Sequence, residues 1–531
     1  MTLELTLFVT SDTHGQWIER PDADNLSLKD TAVCLKKLQA KCDHPYLTID
    51  LGDFIQGSGL ATYYAQIEEN GDMFARVMNY LNYDYQLIGN HEFNFGNQYR
   101  DYILQQLKAK ILAANTVDAL SGQPIYGQPY DIIEIQGQKI GIIGLTTSYI
   151  KHWELAQNYQ GLDFPDAFDT AKKYVVELRP RVDVLILAYH GGFEKDLVDF
   201  QPIEPQTGEN QGARMLEEIP GIDVLLTGHQ HREIAEIVRQ VAVVQPGFGG
   251  EWIGRIDLTI DHHRIIDKSA QLIPISKAKE DDSNLMAVLN PDYQQGHQWL
   301  HHVIGSADIQ SPTQDAFAAR LYGHPYAELL NQLQLKETGA QFSGIAIVND
   351  SFADFVGPIT NEKLLLSYPF YNLIAKVALT GQDLKEIMEF NLKYFSFNSR
   401  GELRVNPRKL EPKPQHYNYD LYSGFHCLVD LKQPIGQRVL EMTDEATGQA
   451  IKMDQVYTVA VTQYRSVGGG NYHWFSKDKV LSLSEIDIAK LIHQTLENYS
   501  ASDWQAINQN YRHMDFVEPY SLAKDPLSLD E

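Results

Sequence analysis

Apolar residues in the first half of the chain fall in short runs, each followed at once by a polar turn. Leu3–Val9 leads into SDTHGQW, Tyr46–Ile49 into DLGD, and Tyr85–Ile88 into GNHEF. Val184–Leu187 leads into AYHGG and Val224–Leu226 into TGHQH. Runs of this length and β-branched content predict buried strands. Between them lie stretches with helical spacing, such as Val33, Leu35 and Leu38 within Thr31–Gln39, and Asp166–Leu178. Ile140–Leu145 predicts a further buried strand, and Val241–Gln245 and Ile253–Ile260 predict closing strands. Strands that alternate with amphipathic stretches indicate a layered α/β domain.

The pattern changes after residue 270. Residues 271–308 are polar and helix-compatible, with Met286, Leu289, Trp299 and Val303 as the main apolar points. They predict a linker helix, the alternative being an ordinary helix packed on the first domain. Residues 309–531 then form a second region. Strands are expected at Phe342–Asp350, Leu373–Thr380 and Val456–Thr462, the last running into the glycine cluster Gly468–Gly470. Helices are expected after Gly381, through Leu384, Ile387, Met388 and Leu392, and around Ile488–Leu496.

A chain of 531 residues exceeds one ordinary domain, and 43% apolar with 21% charged residues is the balance of a globular protein. The net charge of −26 argues against a nucleic-acid polymer or an anionic membrane as partner, since nothing would offset phosphate repulsion. A small anionic substrate remains compatible, because bound cations invert the local field. Three cysteines without a CxxC pair suit a reducing compartment. No apolar run is long enough to span a membrane. The first strand begins at residue 3 with no basic segment before it, so a cytoplasmic location is expected; the alternative is an exported protein whose signal was removed.

The five turns carry the chemistry. Asp12, His14, Asp53, Asn90, His190, His229 and His231 each follow a predicted strand, and in an α/β fold the carboxyl ends of strands converge on one crevice. Seven oxygen and nitrogen donors suffice for two divalent ions. Such a pair generates a nucleophile at neutral pH and clamps a phosphoryl group. Asp53, a lone acid in a glycine turn, is the natural bridge. Asp12 and His14 can reach one ion, and His229 and His231 lie near another.

The motifs SDTH, GDFIQG, GNHE, HGG and GHQH, in that order, resemble the calcineurin-like metallophosphoesterases. The whole chain is similar to the two-domain bacterial 5′-nucleotidase family. The resemblance implies an N-terminal four-layer α/β/β/α domain (1–270), with two packed mixed sheets flanked by helices. A linker helix or hinge (271–308) and an α+β C-terminal nucleotide-binding domain (309–531) would follow. It implies one ion on Asp12, His14, Asp53 and His231, and a second on Asp53, Asn90, His190 and His229. The ions could be Mn, Zn, Fe, Co or Mg. His91 would be the catalytic imidazole. Where 5′-nucleotidases place an aspartate three residues after that histidine, this chain has Asn94. That variant resembles the 2′,3′-cyclic-nucleotide 2′-phosphodiesterase/3′-nucleotidase branch, as do Tyr417–Val439 and Tyr457–Gly470.

The resemblance also implies a clamp of two aromatic rings around the base, here Tyr419 and Tyr464, each ahead of a glycine turn. Gly469 lies where backbone can approach a ligand. Asn349 and Asp350 are candidates for ribose or base-edge hydrogen bonds, with turn capping as the alternative. Arg465 could meet a phosphate, with an ion pair as the alternative. A rotation of the second domain that carries the nucleotide to the metals is a further implication. The expected reaction is in-line attack on a cyclic nucleotide by a hydroxide bridging two metals. Alternatives are a 5′-nucleotidase or UDP-sugar hydrolase and a non-catalytic nucleotide sensor. The expected partner is a small nucleotide, and the chain is expected to be a monomer or weak oligomer.

Overall fold

The computed structural model describes residues 2–19, 26–279, 282–290, 292–410 and 414–528. The chain divides into two compact units, Met1–Trp299 and Leu300–Glu531.

The first unit is built on two six-stranded mixed sheets. One runs in the order Arg264–Pro274, Trp252–Asp261, Leu3–Thr10, Tyr46–Asp50, Tyr85–Gln86, Lys110–Ile111. The other runs Glu233–Val238, Val241–Pro246, Val224–Thr227, Val184–His190, Gln138–Thr146, Tyr130–Ile135. The strands that precede the polar turns lie parallel: Thr10 is level with Asp50, and Leu145 with Tyr189. Their turns therefore emerge at the same edge of each sheet.

Period-two alternation explains how the layers stack. Ile140, Ile142, Ile186 and Ala188 pack with Leu5, Val9, Ile49 and Ile256 between the two sheets. Ile143, Leu145, Leu185 and Leu187 point the other way, onto Phe168, Ala171 and Val175 of the helix Ala167–Leu178. The helix Leu28–Lys41 lies against Trp252–Asp261 of the first sheet. A strand with both faces buried carries no polar alternation, which is why these segments are continuous apolar runs. Residues 271–308 are not one helix. The strand ends at Pro274, and two short helices follow, Ser283–Leu289 and Asp292–Leu300. The first of them packs on Asp72–Leu81, where the Tyr80 hydroxyl donates to Asp282 at 2.5 Å.

The second unit is α+β. Its main sheet runs Asp420–Ser423, Phe342–Ala346, Val456–Thr462, Leu373–Thr380, Val480–Asp487. Val459 and Val461 pack with Leu384 and Ile387 of the helix Gly381–Asn391. On the other face, Ala460 packs with Leu329 and Leu330 of the helix Pro325–Thr338. Thr380 starts its helix by accepting from the Asp383 amide, while the Asp383 carboxylate accepts from the Thr380 amide. The strand expected over Phe342–Asp350 ends at Ala346, because Asn349 turns the chain by capping a short helical turn, Asp350–Asp354.

Candidate active site

Five of the seven candidate ligands stand on backbone in the left-handed region: Asp12, His14, Asp53, His229 and His231, at φ between 50° and 69°. Non-glycine residues avoid that region unless the surroundings hold them there. Here the holding contacts are backbone hydrogen bonds between the turns. The Asp12 amide donates to Gly52 O at 3.0 Å and the His14 amide to Asp53 O at 2.8 Å. Glycine makes the close approach possible: a Cβ on Gly89 would lie 2.1 Å from Asp53 Oδ1, and one on Gly228 2.2 Å from Ser11 Oγ.

These turns bring together two groups, Asp12 with His14 and His231, and Asp53 with His190 and His229. Within each group, one ligand atom per residue lies within 4.8 Å of the others. Asn90 Oδ1 joins the second group, 3.2 Å from His190 Nε2 and 2.8 Å from His229 Nδ1. Asp12, Asp53 and His190 are almost fully buried.

The ring nitrogens show what the groups are built for. His14 Nδ1 faces the carbonyl of Gln56 at 2.8 Å, and His190 Nδ1 that of Leu51 at 2.8 Å. His229 Nε2 faces the Glu209 carboxylate at 3.0 Å. Each of those partners can only accept, so each ring donates there and turns its other nitrogen, a lone pair, inward. Inward lie more acceptors. His190 Nε2 is 3.1 Å from Asp53 Oδ2, a buried oxygen with no hydrogen-bond donor, and His14 Nε2 is 3.1 Å from His231 Nε2. Acceptor facing acceptor in a buried site suits a cation between them. The local field agrees. Burial opposes positive charge at His190, yet the carboxylates of Asp53 and Asp12 outweigh it, so the pocket favours a cation there, a proton on His190 taking that place when no metal is bound. Burial likewise opposes the charge on Asp53, but His190 and His91 hold its pKa well below the usual carboxylate range. The donor set fits two divalent ions.

His91 is half-buried beside the first group, its ring 5.3 Å from that of His14. Its amide donates to Asp53 Oδ1 at 2.7 Å, and its Nδ1 lies 2.7 Å from Asn94 Oδ1. Three carboxylates absent from the sequence reading support the site. Glu92, fully buried, accepts from the amides of Asp53, Phe54 and Gly89 at 2.6–2.8 Å and so ties two of the turns together. Burial and the Asp53 charge push its pKa up to about 8. Glu92 lies inside GNHEF, where Asn90 and His91 carry the stronger ligand signal. Glu209 is held by its carbonyl, which accepts from Thr147 and Tyr189. Glu154 accepts from Asn94 Nδ2 at 2.8 Å. Neither Glu209 nor Glu154 follows an apolar run, so no periodicity marked them.

The second unit treats its candidates differently. Tyr419 is 1% exposed, with Tyr394 and Phe395 against its ring. A ring buried to that extent has no face open to a base. The cavity that Tyr419 helps to line is about 30 Å³, room for water and not for a nucleobase. Tyr417, two residues earlier, is half-buried, and so is Tyr464. Tyr417 O accepts from Arg465 Nη2 at 3.3 Å, and the Tyr464 hydroxyl donates to Asn418 Oδ1 at 3.4 Å, so the two tyrosines flank one small network. Arg465 is buried in a two-bond ion pair with Asp420, at 2.7 and 2.9 Å, and also donates to Gly469 O. It is neither exposed to a phosphate nor a surface pair. Gly469 gives room for a ring, since a Cβ there would lie 2.6 Å from the Tyr464 ring. Asn349 caps a turn by accepting from the Ser351 amide and donates to Leu366 O at 2.8 Å. Asp350 is exposed.

A calcineurin-like phosphoesterase family matches residues 5–233, and the 5′-nucleotidase C-terminal domain matches residues 303–477. A solved structure of a Staphylococcus aureus protein assigned as a 5′-nucleotidase, in complex with alpha-ketoglutarate, is 32% identical. The match covers 97% of this chain and 99% of that one, with a TM-score of 0.88. The chain belongs to the two-domain 5′-nucleotidase family. A 2′,3′-cyclic-nucleotide 2′-phosphodiesterase/3′-nucleotidase of Salmonella typhimurium is 25% identical, over 88% of this chain and 82% of the relative. A snake venom 5′-nucleotidase of Naja atra is 24% identical, over 90% and 92%. With the two ligand groups, family membership makes the protein a metal-dependent phosphoric ester hydrolase. Among the described residues no helix is long and apolar enough to cross a membrane.

Proposed function

We propose that the protein opens 2′,3′-cyclic nucleotides and then hydrolyses the 3′-monophosphate. The observation that carries this reading is the side chain beside His91. Asn94 there is an amide, the residue by which the chain resembles the cyclic-phosphodiesterase branch, and its Oδ1 accepts from His91 Nδ1 at 2.7 Å.

Asp12, His14, Asp53 and His231 would hold one divalent ion, and Asp53, Asn90, His190 and His229 the other. When bound, the pair lowers the pKa of water and neutralises phosphoryl oxygens. Asp53 would serve both ions, and its Oδ1 is held by the His91 amide at 2.7 Å. His91 stabilises the charge on the phosphoryl group and delivers a proton to the departing ribose oxygen. Asn94 keeps its ring in place. In the second unit the base lies between Tyr464 and Tyr417, and Gly469 leaves room for the Tyr464 ring. Three cysteines without disulfides suit a compartment that keeps thiols reduced.

A second reading, a 5′-nucleotidase, is favoured by the Staphylococcus aureus and Naja atra relatives. Phosphate release from 2′,3′-cyclic AMP, 3′-AMP, 5′-AMP and UDP-glucose, assayed together with manganese present, separates the two. The cyclic substrate, assayed with an added monoesterase, and 3′-AMP should lead in kcat/KM. Preference for 5′-AMP would replace the first reading by the second. Tight nucleotide binding without turnover in any metal would leave only a sensor.

A further inference from the structure

An amide beside a catalytic imidazole can face it with its oxygen or with its nitrogen, and the choice sets which ring nitrogen carries the proton. The partners of Asn94 make that choice. Glu154 ends the short helix Ile150–Trp153, and its Oε1 accepts from the Leu155 amide at 3.1 Å and from Asn158 Nδ2 at 3.3 Å. Its Oε2 lies 2.8 Å from Asn94 Nδ2. A carboxylate can only accept, so the Asn94 amide must turn its NH₂ to Glu154 and its Oδ1 to His91. Oδ1 in turn can only accept, so His91 Nδ1 must donate. Asn158 also donates to the Asn94 carbonyl at 3.1 Å, and Arg100 holds the Asn158 carbonyl at 3.4 Å. Glu154 is thus tied to the helix Gly96–Leu104, which directly follows the His91 turn.

We propose that Glu154 is a positioning residue for the reaction: it locks the Asn94 amide and, through it, the Nδ1–H of His91, so that Nε2 is the nitrogen that carries the proton delivered to the substrate. The carboxylate that orients the imidazole is thus one residue further from the ring than a direct aspartate would be, with an amide passing its polarity on. This rests on the reading of His91 as the imidazole that serves the phosphoryl group.

The chemistry of the swap provides the test. In Glu154→Gln the side chain keeps its oxygen toward the two donors Leu155 and Asn158 and points its NH₂ at Asn94. Asn94 then flips, offers NH₂ to His91 Nδ1, and forces the Nε2–H form, in which the ring cannot carry protons on both nitrogens as the proton donor must. In Asn94→Asp/Glu154→Gln the new amide donates to the new carboxylate, which again accepts from Nδ1. The experiment uses the full chain loaded with zinc and labelled at histidine, with His91 identified by His91→Gln. Ring carbon and nitrogen shifts report the tautomer, and kcat, KM and zinc content are measured in parallel.

Glu154→Gln should convert His91 to Nε2–H and lower kcat by on the order of 10²-fold with KM and zinc content unchanged. The double variant should restore both the Nδ1–H signal and most of kcat. Glu154→Gln with an unaltered His91 signal overturns the proposal. So does a loss of zinc or of fold that the double variant does not repair. Tautomer changes as described in a protein that hydrolyses no nucleotide would uphold the positioning role and reject the functional reading.

Discussion

The two units hold their candidate residues in different ways. In the first, the side chains follow parallel strands that end at one edge, and five of them sit on left-handed backbone fixed by bonds between turns. In the second, the candidates lie on short turns beside a five-stranded sheet, and residues two apart meet opposite fates. Tyr419 is core, packed on Tyr394 and Phe395, whereas Tyr417 is half-buried. The lesson is about what each side chain tolerates. A buried aspartate or histidine without a cation or donor costs several kcal/mol, so its position is strongly constrained. A tyrosine ring is as stable in a core as against a base, and its position is not constrained by its chemistry.

Breaking the first unit's arrangement should have the largest effect. Asp53→Asn is expected to lower kcat/KM by on the order of 10³-fold and to reduce bound metal by elemental analysis. Full metal content with undiminished turnover would remove Asp53 from the centre. Arg465→Ala removes half of a buried ion pair, and urea denaturation should show a loss of about 3–5 kcal/mol with metal content unchanged.

The second unit also carries a pH-dependent contact. Burial opposes a charge on His513, but its hydrogen bonds with Glu328 and Glu445 outweigh that and raise its pKa from 6.5 to about 9. A raised pKa stabilises the folded chain fully below pH 6.5, and the contribution is lost as the pH rises through 9, about 3 kcal/mol in all. Urea midpoints measured from pH 6 to 10 should fall over that range in the native chain and stay flatter in His513→Gln. The smallest effect sharpens the contrast between neighbours. Tyr417→Leu and Tyr464→Leu should each raise KM about tenfold with little change in stability. Tyr419→Leu should instead lower the urea midpoint, and a KM rise there without destabilisation would put Tyr419 back at the base.

The α/β layering, the main strands and several helices were legible along the chain. The strand Gln138–Thr146 and the helices Ala167–Leu178 and Gly381–Asn391 follow their apolar spacing closely. The gathering of Asp12, His14, Asp53, Asn90, His190, His229 and His231 was legible too, because a polar residue just past a buried strand can go only to the crevice at that edge. Glu154 and Glu209 were not legible. They reach Asn94 and His229 from loops whose placement depends on contacts with Arg100, Thr147 and Tyr189, far from them in sequence. The resemblance implies a ligand contact at Tyr419 and a phosphate contact or ion pair at Arg465, but burial sends both into the second unit's interior.

Local pattern by itself determined where the strands lie, which turns carry donors and which family the chain resembles, since those follow from nearest neighbours and period. Only tertiary structure decided which tyrosine is left half-buried, which nitrogen of each histidine points inward, and which carboxylate orients Asn94. Those choices depend on hydrogen-bond partners brought together by folding, and a partner 60 residues away leaves no trace in the local sequence.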